Sequence, residues 1–345
     1  MGRKTIKNNI TSPELLADIN PQNVRLMNDF LMYLKSVNRA ETTISTYKND
    51  LEIFFVWCLQ NANNKFFTNV TKRDIVAYQN YLLYTNKNSP ARVRRLKASL
   101  SSLSNYIENI LDDEPEFKDF RNIINKIENP INQPTREKSI FTPEELQSLL
   151  DYLIENKEYQ KACIVALAMY SGRRKSELIR FKVSYFDESN IIYGSLYKTP
   201  EKVKTKGRGD GKYLSLYVLS NKFKPYLDLW LNQREELGIN SEWLFVTKDI
   251  ENDDYRQIGI GGITHWTKQF SEYLNKPFYF HSLRHFFTTE LSKAKLPSNV
   301  IQGIVGWDSA DMVNIYNDLT TDDELGNYFD ENGIKSVNQS SLSEL

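Results

Sequence analysis

The sequence predicts a mainly α-helical protein with a small β-hairpin or sheet, an α+β fold that is divided into two domains. Apolar residues repeat at helical spacing over most of the chain, whereas β-branched and aromatic strand residues gather only between positions 191 and 218. The 345 residues are enough for two domains of roughly 150 residues, each with its own core. A polar segment with three prolines separates the two helical regions and indicates a linker.

The composition is that of an ordinary globular protein. Apolar residues make up 40% and charged residues 26% of the chain, which argues against long disorder or a fibrous rod. The longest apolar run, 162–170, is shorter than the roughly 20 residues of a membrane span, and no signal peptide is expected. Cys58 and Cys163 form no CxxC pair, so we expect a reducing cytoplasm as the location.

The first predicted domain, residues 22–112, is a small all-helical module. Apolar spacing predicts its first helix over 23–37, and Thr42 or Thr43 is the expected cap of the second. The other two helices are predicted to begin at two capping sequences, Thr71 with Asp74 and Ser89 with Pro90.

The second predicted domain, residues 138–330, follows a linker at 113–137 and precedes a polar tail at 331–345. Thr142, Pro143 and the two acids after them are typical of a helix start. Strands are predicted at 191–193 and 212–218, with a glycine-rich turn between them. Further helices are predicted through Leu153 and at 162–169, 222–237, 265–274, 281–293 and 299–305.

Two of the three histidines lie four positions apart, at His281 and His285. Such a pair is able to bind zinc on one helix face, but position 282 is Ser rather than the Glu of a zinc protease, and no metal site is expected. The alternative is a pair of structural histidines. A second polar group, Arg173 and Arg174 followed by Glu177, places guanidiniums where a carboxylate can orient them toward a phosphate.

Three segments together resemble the tyrosine recombinase (phage integrase) family. SGRRKSEL at 171–178 resembles its arginine box, HSLRH at 281–285 its His-x-x-Arg box, and IVGWDSADMVNIY at 304–316 its closing segment with the nucleophile. Trp307 follows Arg284 by 23 positions and precedes Tyr316 by 9, both typical of the family. The resemblance extends to the helical module, which is similar to the family's core-binding domain.

The resemblance implies a catalytic set in the second domain. Arg174 and Arg284 would clamp a scissile phosphate, with Glu177 supporting the arginine box and His285 as a structural neighbour. His281 would act as the base, because a phenol of pKa near 10 is a poor nucleophile at neutral pH. Trp307, where most members have His, would donate its indole N–H to a phosphate oxygen, and Tyr316 would attack. The neighbouring Arg173 is the alternative to Arg174, although the frame of Gly172 and Glu177 favours Arg174.

The proton for the leaving 5′ hydroxyl would come from a lysine of the hairpin between the two arginine segments. Lys204 and Lys206 each match one form of the family's hairpin motif and remain equal candidates, while Lys198 and Lys202 fit less well. Plain phosphate contact is the alternative for the cluster, and Lys202 and Arg208 are predicted to bind DNA in that way.

A second basic cluster starts the fourth helix of the first module. The 44 basic and 44 acidic residues cancel, so a DNA-binding surface must be local. We expect one here, with a solvated helix face as the alternative; its residues are Arg92, Arg94, Arg95 and Lys97.

The function implied by the resemblance is that of a site-specific DNA recombinase of a mobile element, acting through a 3′-phosphotyrosyl intermediate without metal or nucleotide. The two domains would form a clamp on double-stranded DNA, and four copies would join two recombination sites, with accessory DNA-bending proteins as possible partners. The expected place of action is the nucleoid in the cytoplasm. A type IB topoisomerase-like relaxing enzyme and a catalytically silent DNA-binding regulator are the alternatives.

Overall fold

The computed structural model describes residues 10–131, 139–205 and 211–317, and the backbone of residues 329–330 and 333–334. The chain divides into two compact units, the first reaching to Glu137 and the second beginning at Lys138. Within the described residues, no helix combines the length and apolar character that a bilayer crossing requires. The predicted fold class is confirmed, because helices dominate and the sheets are small and antiparallel.

The helices are numbered in chain order. Those of the first unit are α1 (Pro13–Ala17), α2 (Pro21–Ser36), α3 (Glu41–Asn61), α4 (Lys72–Asn80) and α5 (Pro90–Ile110). Those of the second unit are α6 (Pro143–Glu155), α7 (Tyr159–Ser171), α8 (Lys175–Leu178), α9 (Ser220–Glu236), α10 (Ile260–Tyr273), α11 (Phe280–Lys293), α12 (Ser298–Val305) and α13 (Asp311–Tyr316).

Local capping chemistry explains where several helices begin. Thr71 and Thr142 form capping boxes with the acid three residues later, and the Ser89 hydroxyl accepts from the Arg92 backbone N–H before α5. These predicted starts are confirmed. The predicted cap of the second helix, Thr42 or Thr43, is wrong: α3 begins at Glu41, and its N-cap residue is Ala40, which makes no side-chain cap.

One helix in each unit forms the centre of its core. Residues 50–58 of α3 are all buried, and in α7 every residue from Ala162 to Met169 is buried. Helices surrounded on all sides need apolar residues around the whole circumference. The second half of α3 is accordingly buried around its whole circumference, and it includes two buried acids, Asp50 and Glu52.

The predicted linker is shorter in the structure than in the sequence pattern. After α5 the chain packs back on the first unit, where Phe117 and Ile124 are buried in its core. Asn122 fixes this segment by donating to Asn105 Oδ1 at 2.6 Å. Residues 113–131 are thus a folded edge of the first unit rather than an extended connection.

The strands form separate small sheets. They are β1 (Ile191–Ile192), β2 (Leu196–Lys198), β3 (Val203–Thr205), β4 (Lys212–Leu214), β5 (Tyr217–Leu219), β6 (Val246–Asp249), β7 (Asp254–Gln257), β8 (Phe329–Asp330) and β9 (Gly333–Ile334). The first sheet has the order β1-β2-β5, and β3-β4, β6-β7 and β8-β9 pair as antiparallel hairpins. The strand predicted at 212–218 is wrong, because it breaks into β4 and β5, which join different sheets.

The last described helices form a smaller cluster on α11. Phe287 and Leu291 of α11 pack with Ile301 and Val305 of α12 and with Val313 of α13. Trp307 and Tyr316 belong to the same cluster and are 5% and 9% exposed. A positive-φ glycine, Gly172 at the end of α7, lies against it: a β-carbon there would be 2.5 Å from Phe287 Cδ1.

Gly172→Ala is expected to lower the free energy of unfolding by about 3 kcal/mol, because it adds a left-handed backbone penalty to a clash in a packed core. Urea unfolding followed by circular dichroism measures the loss. Gly238→Ala is the matched control, since Gly238 also has a positive φ but a β-carbon there would meet nothing within 4 Å. It should lose only about 1 kcal/mol, and equal losses in the two variants would contradict the packing argument.

Candidate active site

The first turns of α11 bring three predicted site residues to one face. His281, Arg284 and His285 are spaced three and four residues apart, so a helix places them side by side. This face meets Tyr316 of α13: the Tyr316 ring lies 5.2 Å from the His281 ring and 4.5 Å from the His285 ring. The Tyr316 hydroxyl oxygen Oη is 3.0 Å from His281 Nε2, within hydrogen-bond distance.

Trp307 covers the same group from the segment between α12 and α13. Its ring packs against the Tyr316 ring at 4.8 Å, and the Arg284 guanidinium carbon Cζ lies 4.9 Å from the centre of the Trp307 ring and 5.8 Å from that of Tyr316. These are cation–π distances. The buried indole N–H of Trp307 meets no acceptor among the described residues.

Arg284 is fully buried and is held by backbone carbonyls. Its Nη1 donates to the Gly172 carbonyl at 2.9 Å, and its Nη2 donates to the Val305 carbonyl at 3.3 Å. Its Nε–H has no acceptor in the described chain. Burial first, and then the positive charge of Arg174, lower the pKa of Arg284, although a guanidinium keeps its proton at neutral pH.

The two neighbouring arginines of the 171–178 segment differ in burial and in hydrogen-bond partners. Arg173 is fully buried and donates to the Ile304 and Val305 carbonyls at the end of α12. Arg174 keeps 28% of its side chain exposed, and its Nη1 bonds Glu177 Oε1 at 3.0 Å. Glu177 also accepts from the Arg174 backbone N–H and is buried. The geometry therefore favours Arg174 over the alternative Arg173 as the arginine that can meet a ligand.

The environment of His281 keeps its imidazole neutral near pH 7. Burial lowers the pKa of His281 below the ordinary 6.5, and the charges of His285, Arg284 and Arg174 lower it further. A neutral imidazole can accept the proton of a phenol. The site thus joins a hydroxyl, a base and cationic donors, the set that a nucleophilic attack on a phosphodiester requires.

The hairpin lysines lie only partly within the described residues. Lys204 is exposed on β3, and its carbonyl accepts from Arg180. Lys202 is exposed just before that strand. Lys206 and Arg208 lie outside the described residues. Sequence reasoning missed one contact of this hairpin, the ion pair between Lys212 of β4 and Asp308, although both residues were within motifs that it examined.

The basic cluster of α5 is organised by a buried acid that sequence reasoning also missed. Asp50 of α3 pairs with Arg92 at 3.0 Å and with Arg95 at 2.8 Å. Its position directly before the run 51–59, in which Glu52 is the one charged residue, was the available signal. Arg95 is half exposed, and Arg94 is exposed with Nη1 at 3.4 Å from the Pro130 carbonyl.

Lys97 corrects the prediction of a DNA contact. The residue is 3% exposed, and its Nζ donates to Gln79 Oε1 and to the carbonyls of Ile127 and Glu128. It thereby attaches the segment after α5 to the helices of the first unit. Because all three N–H groups of an ammonium are used in these bonds, Lys97 has a structural role in this conformation.

A separate cavity of about 1050 Å³ lies in the second unit. Aromatic side chains of α6, α10 and α11 line it together with several acidic residues, and none of the predicted site residues within the described chain is part of its lining. The cavity is therefore separate from the tightly packed group around Tyr316.

Comparison with family models gives two matches. The model of the phage integrase family matches residues 139–322, and the model of the phage integrase N-terminal SAM-like domain matches residues 26–115. Among curated proteins, the SPbeta prophage-derived recombinase-like protein YomM of Bacillus subtilis is 31% identical over 217 residues. That match spans 63% of this chain and 63% of the relative. A tyrosine recombinase of Thermosipho africanus is 23% identical and covers 85% of this chain and 93% of its own.

Solved structures share the fold. The XerH site-specific recombinase in its post-cleavage complex with a palindromic difH substrate has a TM-score of 0.64 at 16% identity, covering 89% of this chain and 95% of its own. A lambda integrase tetramer bound to a Holliday junction has a TM-score of 0.61 at 15% identity, covering 86% of this chain and 77% of its own. The Tn1549 transposon integrase in complex with circular intermediate DNA has a TM-score of 0.61 at 17% identity, covering 88% and 98%.

Replacing Arg174 by Gln is expected to raise the pKa of His281, because the substitution removes a positive charge that opposes protonation of the imidazole. In the unaltered protein His281 should titrate below pH 6.5, and NMR of the imidazole protons measures both values. Arg256→Gln, which removes an exposed arginine of β7, is the control and should leave the titration unchanged. A wild-type pKa at or above 6.5, or no shift in Arg174→Gln, would refute this electrostatic account.

Proposed function

Because this chain belongs to the phage integrase family, we propose that it is a site-specific DNA recombinase that cleaves and rejoins strands through a 3′-phosphotyrosyl intermediate. The observation that carries the proposal is the contact between Tyr316 Oη and His281 Nε2 at 3.0 Å, made beside the buried Arg284 guanidinium. A nucleophile within hydrogen-bond reach of a neutral base is the arrangement that hydroxyl activation needs.

In the proposed cleavage step, Tyr316 Oη forms a bond to phosphorus while the bond from phosphorus to the 5′ oxygen breaks. His281 accepts the phenolic proton. Negative charge that builds on the non-bridging oxygens is met by fixed donors. Arg174 offers a partly exposed guanidinium, and Arg284 and Trp307 each offer a buried N–H that meets no acceptor in the described chain. Buried donors without acceptors are costly, which supports a ligand oxygen at this position.

The departing 5′ oxygen takes a proton from a lysine of the β3–β4 hairpin, Lys204 or Lys206. Religation reverses these transfers: the 5′ hydroxyl of a partner strand attacks the phosphotyrosyl bond and Tyr316 leaves. The covalent link keeps the energy of the phosphodiester, so we propose that neither a metal ion nor ATP takes part. Glu177 supports the step by orienting Arg174, and His285 by packing against Tyr316.

The first unit is proposed to hold the duplex, as one half of a two-domain clamp. Arg92, Arg94 and Arg95 present three guanidiniums from the start of α5, two of them oriented by Asp50. Guanidiniums at that position can meet phosphates. Lys202 and Arg208 would add contacts from the second unit. Binding of this kind should weaken as salt rises.

The partner is proposed to be double-stranded DNA with specific recombination sites, joined by four copies of the chain. Support comes from relatives whose names include a prophage recombinase, a transposon integrase with circular intermediate DNA and a lambda integrase tetramer on a Holliday junction. We accordingly propose a mobile element as the origin and the nucleoid as the place of action. Accessory DNA-bending proteins are possible further partners.

Incubation with DNA that flanks the gene, in EDTA and followed by SDS, is expected to trap a covalent protein–DNA adduct. Tyr316→Phe should abolish this adduct, because a benzene ring has no nucleophilic oxygen, and denaturing gels measure it. Tyr328→Phe, which alters a tyrosine 12 positions further along the sequence, is the control and should retain adduct formation. An adduct that persists in Tyr316→Phe would disprove the assigned nucleophile, and a requirement for magnesium would disprove the metal-free step.

The same assay separates the rival functions. Recombinant products from two sites support the recombinase, whereas plasmid relaxation without recombinants would identify a type IB topoisomerase-like enzyme. Tight, site-selective binding without any adduct would identify a DNA-binding regulator.

The general acid is expected to be revealed by DNA that carries sulfur in place of the 5′ bridging oxygen. A thiol has a pKa of roughly 8.5 and leaves without receiving a proton. Removal of the acid lysine should therefore slow cleavage of ordinary DNA by about 100-fold or more but spare the sulfur substrate. Comparison of Lys204→Ala with Lys206→Ala in single-turnover assays assigns the role. Loss on both substrates would instead indicate a phosphate contact.

A further inference from the structure

The β3–β4 hairpin is attached to the segment that leads to the nucleophile by two contacts of different kinds. Lys212 Nζ of β4 is 2.7 Å from Asp308 Oδ1. Two residues along the same strand, Leu214 lies against Gly306, where a β-carbon would be 2.8 Å from Leu214 Cδ1. Asp308 and Gly306 are the two neighbours of Trp307, so the hairpin is fixed on both sides of a site residue.

Gly306 makes this close approach possible. It ends α12 with φ of +77°, a backbone conformation that favours glycine. Any side chain at this position would have to displace Leu214. The chain therefore turns from α12 into Trp307 while lying directly under the hairpin, and Asp308 emerges where Lys212 can reach it.

The ion pair has little value for stability. The Lys212 side chain is 41% exposed and the Asp308 side chain is 92% exposed, and exposed pairs contribute little to the free energy of folding because water and salt screen them. The ion pair does, however, connect two parts of the site. Lys212 pairs with Thr205 across the hairpin, and the Thr205 hydroxyl donates to the Lys212 carbonyl at 2.8 Å. Thr205 directly follows Lys204, so the position of Lys212 affects the strand that carries Lys204 and precedes Lys206 in the sequence.

We propose that Asp308 and Lys212 are positioning residues that hold the hairpin lysine in register with the nucleophile segment during strand cleavage. The inference rests on the proposed function and extends it, because it assigns a task to two residues that touch neither the phosphate nor the nucleophile in that scheme. Asp308 directly follows Trp307 and pairs with Lys212, and Lys212 in turn pairs with Thr205 of β3. The positions of Trp307 and β3 therefore depend on each other. The arrangement couples proton donation at the 5′ oxygen to the placement of Trp307 and, nine residues on, of Tyr316.

The test uses single-turnover cleavage by the full chain on two DNA substrates, one with the ordinary 5′ bridging oxygen and one with sulfur there. Asp308→Asn and Lys212→Gln are each expected to slow cleavage of the oxygen substrate by roughly 10- to 100-fold, the cost of a misplaced catalytic group. On the sulfur substrate, which needs no acid, both variants should cleave at close to the wild-type rate. The reversed pair, Asp308→Lys with Lys212→Asp, should recover a large part of the loss.

Asp253→Asn is the matched control. Lys248 pairs with Asp253 at 2.8 Å, and their side chains are 55% and 86% exposed, respectively, so the control removes an equivalent surface ion pair in another hairpin. It should cleave both substrates like the wild type, and unfolding midpoints of all variants should agree.

Distinct outcomes overturn the inference. If Lys212→Gln slows both substrates equally while Asp308→Asn is unaffected, Lys212 is a phosphate contact and the proposed coupling is wrong. Wild-type rates in both single variants on the oxygen substrate would also refute it. If the wild type itself forms no tyrosyl adduct on either substrate, the proposed function fails, a result that the variants alone cannot produce.

Discussion

The geometry of the site depends on one buried guanidinium that joins two helix ends. Arg284 donates to the carbonyl of Gly172, after the last turn of α7, and to that of Val305, the last residue of α12. A buried cation is costly unless polar groups surround it. Helix C-termini supply such groups, because their last carbonyls have no partner in the helix and carry partial negative charge. The cation and the two helix ends thus satisfy each other.

Both α7 and α12 end in a glycine with positive φ, and the turn at the second glycine determines which residue packs on the Arg284 guanidinium. At Gly306 the chain turns sharply, so the next residue, Trp307, packs on Arg284 at once. Arg173 adds a second buried cation to the same end of α12 through the Ile304 and Val305 carbonyls. With that turn fixed, the short α13 returns Tyr316 to the face of α11. Tyr316 is therefore placed by the hydrogen bonds that the two buried guanidiniums donate to backbone carbonyls.

Local chemistry in the sequence was enough to predict the caps at Thr71, Ser89 and Thr142 and the mainly helical class, because each depends on residues a few positions apart. The resemblance of three motifs to the tyrosine recombinase family also implied that Arg284, His281 and Tyr316 belong together. Lys97 was not predictable in this way: its acceptors at Ile127 and Glu128 come from a segment without periodicity, about 30 positions on. The break between β4 and β5 likewise reflects pairing with different sheets rather than a local signal.

The cations of the second unit differ in how much of the fold depends on them. Arg284 uses Nη1 and Nη2 for backbone carbonyls, and its Nε–H meets no acceptor among the described residues, so its position is fixed before any ligand arrives. Such preorganised donors need no rearrangement when charge develops. Within the part of the chain that the structure describes, Arg174 is held by Glu177 and remains partly exposed. Lys212 and Asp308 lie at the surface, where a change alters placement without unfolding the core. Stability and the proposed chemistry are inseparable at Arg284, and they become separable toward the surface, where the β3–β4 hairpin meets the segment that leads to Tyr316.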